Sequence, residues 1–329
     1  MTALFAIVRK DLQLFRTDRR AVLMQIAAPV LISAFFGFVF SRTSGGAQTA
    51  RIAVLVVDQD GAAGKPEVPL LYDPSHPAER ALVRGLLTQH AMQAVSRQVP
   101  AGGSEGAGPP GFRLPYDVRE EAVTARDDMP YNGYAHAFAG MSVQFILFSG
   151  INMGIGILMD KQRGVWKRLR AAPLSKTFVL AAKTASGTLI AFITLLIVFA
   201  FAIGVFGVRV QGSAIGFVGV LLSIAMMTST FGLLIATLGR TPEATRGISI
   251  FAVLIMVMLG GAWVPTFVFP AWLQRATVVV PARWAVDGIE AMTWRGLPWA
   301  AAVPTIGALL GFALLFGVLA ALRFDWEAQ

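Results

Sequence analysis

KQRGVWKRLRAAPLSK, residues 161–176, sets six basic side chains into sixteen positions, between two segments that carry almost no charge. AFAGMSVQFILFSGINMGIGILM (137–159) precedes it and TASGTLIAFITLLIVFAFAIGVFGV (184–208) follows it, and neither holds an Asp, Glu, Lys or Arg. A helix crossing the hydrocarbon core needs about 20 mainly apolar residues. Two such runs around a cationic turn therefore read as two membrane spans joined on the side where positive loops collect. Trp166, between Val165 and Lys167, makes the turn more than a solvated run of charge.

Four further windows pass the same test without a charged residue: 21–40, 213–238, 247–264 and 300–322. The composition agrees. Of 329 residues 55% are hydrophobic and 14% charged, against about 25% charged in globular domains, and the mean hydropathy is +0.63. The expected fold is an α-helical integral membrane protein with six transmembrane helices. A net charge of +9 then reflects basic loops facing the cytoplasm, not a nucleic-acid surface. The chain has no cysteine, which excludes disulfides and thiolate chemistry.

Residues 1–20 read as a cytoplasmic amphipathic helix lying at the interface, with Leu4, Phe5, Val8, Leu12 and Phe15 on one face and Ile7 and Leu14 off it. The span 21–40 is too long for a signal-peptide core of 7 to 15 residues and is read as retained. Basic residues before the first span and between the second and third put both termini in the cytoplasm; Arg275, Arg283 and Arg295 fall outside and weaken the bias without reversing it. Residues 41–135 are then external, and 136–329 form a five-helix region with a cytoplasmic loop at 160–177. In the external block RIAVLVVD (51–58) and PEVPLLYD (66–73) predict strands, a helix is expected after Pro77, and PAGGSEGAGPPG (100–111) is a linker. A small external α+β domain is the expectation.

Chemistry is sparse. GAAGKP (61–66) lacks the spacing of a phosphate-wrapping loop. Asp58, Asp60 and Asp73 end strands, where acids usually form turns. His76, His90 and His136 have no metal-ligand spacing among them. Two segments stand out. In the first, Val165, Trp166 and Leu169 fall on one face of a short helix that Pro173 ends, a patch suited to a partner's groove or to a lipid interface. In the second, GGAWVPTFVFPAWLQRATVVVPARWAVDGIEAM (260–292), Pro265, Pro270 and Pro281 interrupt an apolar run. Such a run forms either broken, re-entrant helices near the outer face or a loop lying on the membrane with Trp263, Trp272 and Trp284 as belt residues.

Together these two segments resemble the permease subunits of type-2 ABC exporters, over nearly the whole chain. RGVWKRLRAAPLSK (163–176) matches the family's Gly-x-x-x-x-Leu-x-x-x-Pro loop, and GGAWVP…FP…P…W matches its proline-interrupted segment before the last span. The resemblance implies that Arg163, Gly164, Val165, Trp166, Lys167, Arg168, Leu169, Arg170 and Pro173 contact a separate ATPase subunit. It implies that the segment carrying Gly260, Gly261, Trp263, Pro265, Pro270, Pro281 and Trp284 forms re-entrant helices closing the outer end of the pathway. ATP and Mg would be used by the partner ATPase and no cofactor bound by this chain. A second permease copy or paralogue and membrane lipids would be the other partners, in the cell membrane of a prokaryote. Two departures stand in this sequence: Gln162 where many members carry an acid, and an external block in which DQDGAAGK runs almost directly into PEVPLLYD. The rival reading, an ion-coupled secondary transporter, normally needs ionisable groups within its spans, and a membrane enzyme needs a converging set of acids, bases or ligands. The sequence offers neither.

Overall fold

The computed structural model describes residues 2–43, 67–72, 85, 117–122, 132–164 and 175–324. The chain divides into two compact units, Met1–Ser41 with Asn132–Gln329 and, separately, Arg42–Tyr131.

The larger unit is helical. It comprises α1 (Thr2–Thr17), α2 (Arg19–Thr43), α3 (Gly133–Gln162), α4 (Lys176–Phe206), α5 (Ala214–Leu238), α6 (Pro242–Leu259), α7 (Ala271–Ala276), α8 (Pro281–Met292) and α9 (Trp299–Arg323), with single 3-10 turns at Thr266–Val268 and Thr277–Val279. Six of these helices, α2 to α6 and α9, are long and apolar enough to cross a membrane. Their ends follow local chemistry. Asn132, Ser175, Ser213 and Thr241 each accept a backbone N–H of the first turn that would otherwise lack a partner. The fifth window is displaced: the helix runs 242–259 and not 247–264, because Thr241 caps it, Pro242 occupies its first position and Gly260–Gly261 end it.

Helix α5 lies at the centre, packed on α3, α4 and α9. Its crossing with α3 brings backbone against backbone. A Cβ on Gly154 would collide with the Gly232 carbonyl, one on Gly232 with the Gly150 carbonyl, and one on Gly150 would come within 2.8 Å of the Thr228 carbonyl. Gly150 and Gly154 form the small-xxx-small pattern that permits such approach where lipid supplies no hydrophobic drive. Helix α6 presents Thr245, Ser249, Val253 and Val257 to the bundle at intervals of four. Helix α2 does the same with Pro29, Ser33 and Gly37, while Gln25 Nε2 donates to Ser149 Oγ of α3 at 2.7 Å.

Helix α1 corrects one expectation. Its half-buried face is Ile7, Val8, Asp11, Leu12 and Phe15, whereas Phe5 is 69% exposed. The face is set by α4, against which α1 packs, and Lys183 Nζ holds Asp11 Oδ1 at 3.0 Å. In the smaller unit, β1 (Glu67–Tyr72) pairs in parallel with β2 (Asp117–Ala122). The first of these is the strand expected at 66–73. The second, DVREEA, is too acidic for a propensity argument to find. The strand expected at 51–58, the helix after Pro77 and the linker 100–111 lie outside the described residues.

Gly156 stands two positions from Gly154, and a Cβ there meets nothing within 4 Å. Gly154→Leu is expected to destabilise the folded chain by about 3 kcal/mol through overpacking against backbone. Gly156→Leu should stay within about 0.5 kcal/mol of the parent. Thermal unfolding in detergent distinguishes the two.

Candidate functional site

Besides the Lys183–Asp11 pair, three places among the described residues of the helical unit bring polar groups together. At the first, α3 ends on Gly164, whose φ of 73° suits glycine, with the Arg163 N–H donating to the Met159 carbonyl at 2.9 Å and the Gly164 N–H to Lys161 at 3.1 Å. The loop glycine is therefore a helix stop. Gln162 Nε2 donates to the Arg240 carbonyl at 3.4 Å, a bond no carboxylate at that position could make. Val165, Trp166, Lys167, Arg168, Leu169, Arg170 and Pro173 lie outside the described residues; the chain is described again from Ser175, the cap of α4.

At the second, the proline-interrupted segment is a chain of short helices. Gly260 and Gly261 turn the chain out of α6; Gly261 has a φ of 80°, and the Ala262 N–H returns to the Val257 carbonyl at 3.0 Å. That turn rests on α3 at Gly140, where a Cβ would strike the Ala262 carbonyl. Trp263 Nε1 donates to Gln144 Oε1 of α3 at 2.6 Å. Pro265 precedes the first 3-10 turn, Pro270 precedes α7, and Pro281 opens α8. Each proline thus starts an element. Trp272 is 70% exposed, whereas Trp284 is half-buried with its Nε1 donating to the Val278 carbonyl at 2.8 Å. Arg283 ties the pieces together, donating to the Gln274 carbonyl, to Thr277 Oγ1 at 2.7 Å and, through Nε, to Asp287 Oδ2 at 3.4 Å. Burial pushes the Asp287 carboxyl above its ordinary value; the Glu290 carboxylate adds to the rise, and the Arg295 and Arg283 guanidiniums oppose it.

The same segment supplies a site that sequence reading missed. Glu290, 2% exposed, meets His136 Nδ1, on a residue wholly buried, at 2.5 Å through Oε1, and Arg295 Nη2 at 3.2 Å through Oε2. The carboxylate thereby fixes the last turn of α8 to the first turn of α3. His136 sits one residue before the apolar window 137–159 and has no neighbouring ionisable partner in sequence, so only the fold reveals its role.

At the third, α3 leaves one side incompletely covered. Gln144, Phe148 and Asn152 recur there at intervals of four, with Gln144 and Phe148 partly exposed and Asn152 exposed. Asn152 Oδ1 accepts from Arg246 Nη1 of α6 at 3.1 Å, and Ser149 accepts from Gln25 of α2. Gln144 and Asn152 thus set two amide side chains on a partly exposed flank of α3, each bonded to a side chain from α6 or from the segment that follows it.

A sequence model described as ABC-2 type transporter matches residues 2–294. The chain belongs to this family. It is 26% identical over 203 residues to the linearmycin resistance permease protein LnrN of Bacillus subtilis (strain 168), covering 61% of this chain and 52% of that protein. It is 25% identical over 173 residues to the inner membrane transport permease YhhJ of Escherichia coli (strain K12), covering 52% and 46%. The chain thus spans about half the length of the curated relatives it matches. As an ABC-2 family permease it is a multi-pass membrane transport component, of a family that normally works with an ATPase subunit.

Breaking a buried ion pair by removing one partner costs about 3–5 kcal/mol, and here the lower end applies because Arg295 reaches solvent. Glu290→Ala is expected to destabilise the chain by about 3 kcal/mol, with Glu290→Gln recovering part of the loss. Asp287→Ala should cost less than half as much. Thermal unfolding of the three variants gives the ranking.

Proposed function

We propose that this chain is the membrane-spanning subunit of an ATP-driven exporter: one of two permease chains, each coupled to a separate ATPase that uses ATP and Mg. The observation that carries the reading is the pairing, on one continuous helix, of a cationic apolar segment that follows one end of α3 with the interrupted segment braced at the other. Residues 163–173 would form the coupling element, with Val165, Trp166 and Leu169 seated in an ATPase groove and Lys167, Arg168 and Arg170 at its rim. Closure of the ATPases would push on this element and move α3 and α4. The open flank of α3, with Gln144, Phe148 and Asn152, would line the pathway between permeases. α7 and α8 would be re-entrant helices closing its outer end, and residues 41–135 an external α+β domain. Both termini would be cytoplasmic, and the source prokaryotic.

Family membership supports a transport role for the chain, and the relative named for linearmycin resistance supports export. A drug-like or lipid-like substrate suits the apolar character of the spans. Permease work needs no catalytic residue here, since the chemistry belongs to the ATPase.

The ATPase contact is tested by Trp166→Ala. An aromatic anchor in a partner's groove is often worth at least about 2 kcal/mol, so recovery of the ATPase with the chain should fall roughly thirtyfold or more, while expression and membrane insertion persist. Neutralising Lys167 and Arg168 should weaken association in a salt-dependent way, because rim charges are screened. If the segment only anchors lipid, the order reverses, with Trp166→Ala mild. Unchanged co-purification and export in Trp166→Ala would remove the segment from the coupling role. Orientation is tested separately in the naturally cysteine-free chain. Ser44→Cys and Gly103→Cys should react with an impermeant thiol reagent outside intact cells, whereas labelling of Ser175→Cys from outside would invert the topology.

A further inference from the structure

A cavity of about 620 Å³ opens between α4, α5 and α9, and no residue of α2, α3 or α6 lines it. Small residues hollow it out: Ala181 and Ala185 on α4, Gly317 and Ala321 on α9. Larger side chains, Phe192 and Met226 among them, form its far wall. The groove follows α4 from Thr177 to Phe192, about 23 Å at 1.5 Å per residue. That exceeds half of a hydrocarbon core about 30 Å thick, so it accommodates one acyl chain from one leaflet.

We infer that this groove holds an acyl chain of an anionic phospholipid whose phosphate sits against Lys176 and Arg323. Lys176 immediately precedes the lining residue Thr177, and Arg323 follows the lining residue Ala321 by two positions; both are exposed. Neither makes an ion pair among the described residues, in contrast to Lys183, which adjoins the lining residue Thr184 and whose charge is met by Asp11 at 3.0 Å. Two cations at the mouth of an apolar groove between spans complement a headgroup with net negative charge. A zwitterionic headgroup offers them no net attraction. A symmetric second copy fits less well, because a twofold contact at this height would set the same cations against each other. This site goes beyond the transport reading, and lipid retention is measured without the ATPase.

The test uses the full-length chain in detergent, incubated with equimolar phosphatidylglycerol and phosphatidylcholine of identical acyl chains, with bound lipid counted by native mass spectrometry. Each basic residue near an anionic surface is worth roughly a fivefold gain, so wild type should favour phosphatidylglycerol by about 25-fold. Lys176→Gln combined with Arg323→Gln should bring the two lipids near parity while leaving phosphatidylcholine retention unchanged. Gly317→Leu should reduce retention of both, since Gly317 lines the groove and a Cβ there meets only Thr230 Cγ2 at 3.6 Å, an ordinary contact. Equal retention of the two lipids by wild type overturns the proposal, as does an undiminished preference in the double variant. A Gly317→Leu chain that loses a dimer but keeps its lipid assigns the groove to a second copy instead.

Discussion

Backbone meets backbone where α3 crosses α5, and the arrangement of the helical unit depends on that contact. Gly150 and Gly154 lie against the backbone carbonyls of Thr228 and Gly232, and only because they lack a Cβ can the helices approach this closely. Inside a bilayer the lipid tails are as apolar as the core, so helices associate through close packing and interhelical hydrogen bonds. The glycine crossing provides the first. The buried contact of His136 with Glu290 and the bond from Gln25 to Ser149 provide the second. Helix α5, once fixed to α3, positions α4 and α9 on its remaining sides.

This places α3 as a continuous helix of 30 residues, about 45 Å long, with a distinct device at each end. One end stops on Gly164 and releases the cationic segment; the other is clamped through His136 to α8 and supports the Gly260–Gly261 turn at Gly140. A load applied at the first end reaches the second without crossing a loop. In the proposed cycle that is how an ATPase on one side of the membrane would act on a closure at the other.

Much of this was legible in the sequence. Six apolar windows became six helices, and each proline of the 260–292 segment begins an element, because a residue without an N–H belongs where no N–H partner exists. What the sequence hid was relational. Neither GINMG (150–154) nor the lone Gly232 announces which helix it will touch. His136 falls at the edge of a window and Glu290 lies 154 residues away, so no spacing rule links them. The amphipathic face of α1 shifted because α4 and Lys183, and not the membrane alone, decide which side is covered.

The central claim is that work reaches this chain from ATP hydrolysed by a partner, and not from an ion gradient. Among the described residues the rival can point to the buried His136–Glu290 pair, an ionisable contact of the kind ion-coupled carriers use. Reconstituting the chain in liposomes with an ABC ATPase that co-purifies with it, and measuring ATP turnover with and without an ionophore that collapses the proton gradient, separates the two. The account predicts turnover that rises when the chain is present and does not change with the ionophore. No effect of the chain on ATP turnover, together with proton flux through the chain alone under an imposed pH gradient, would contradict it.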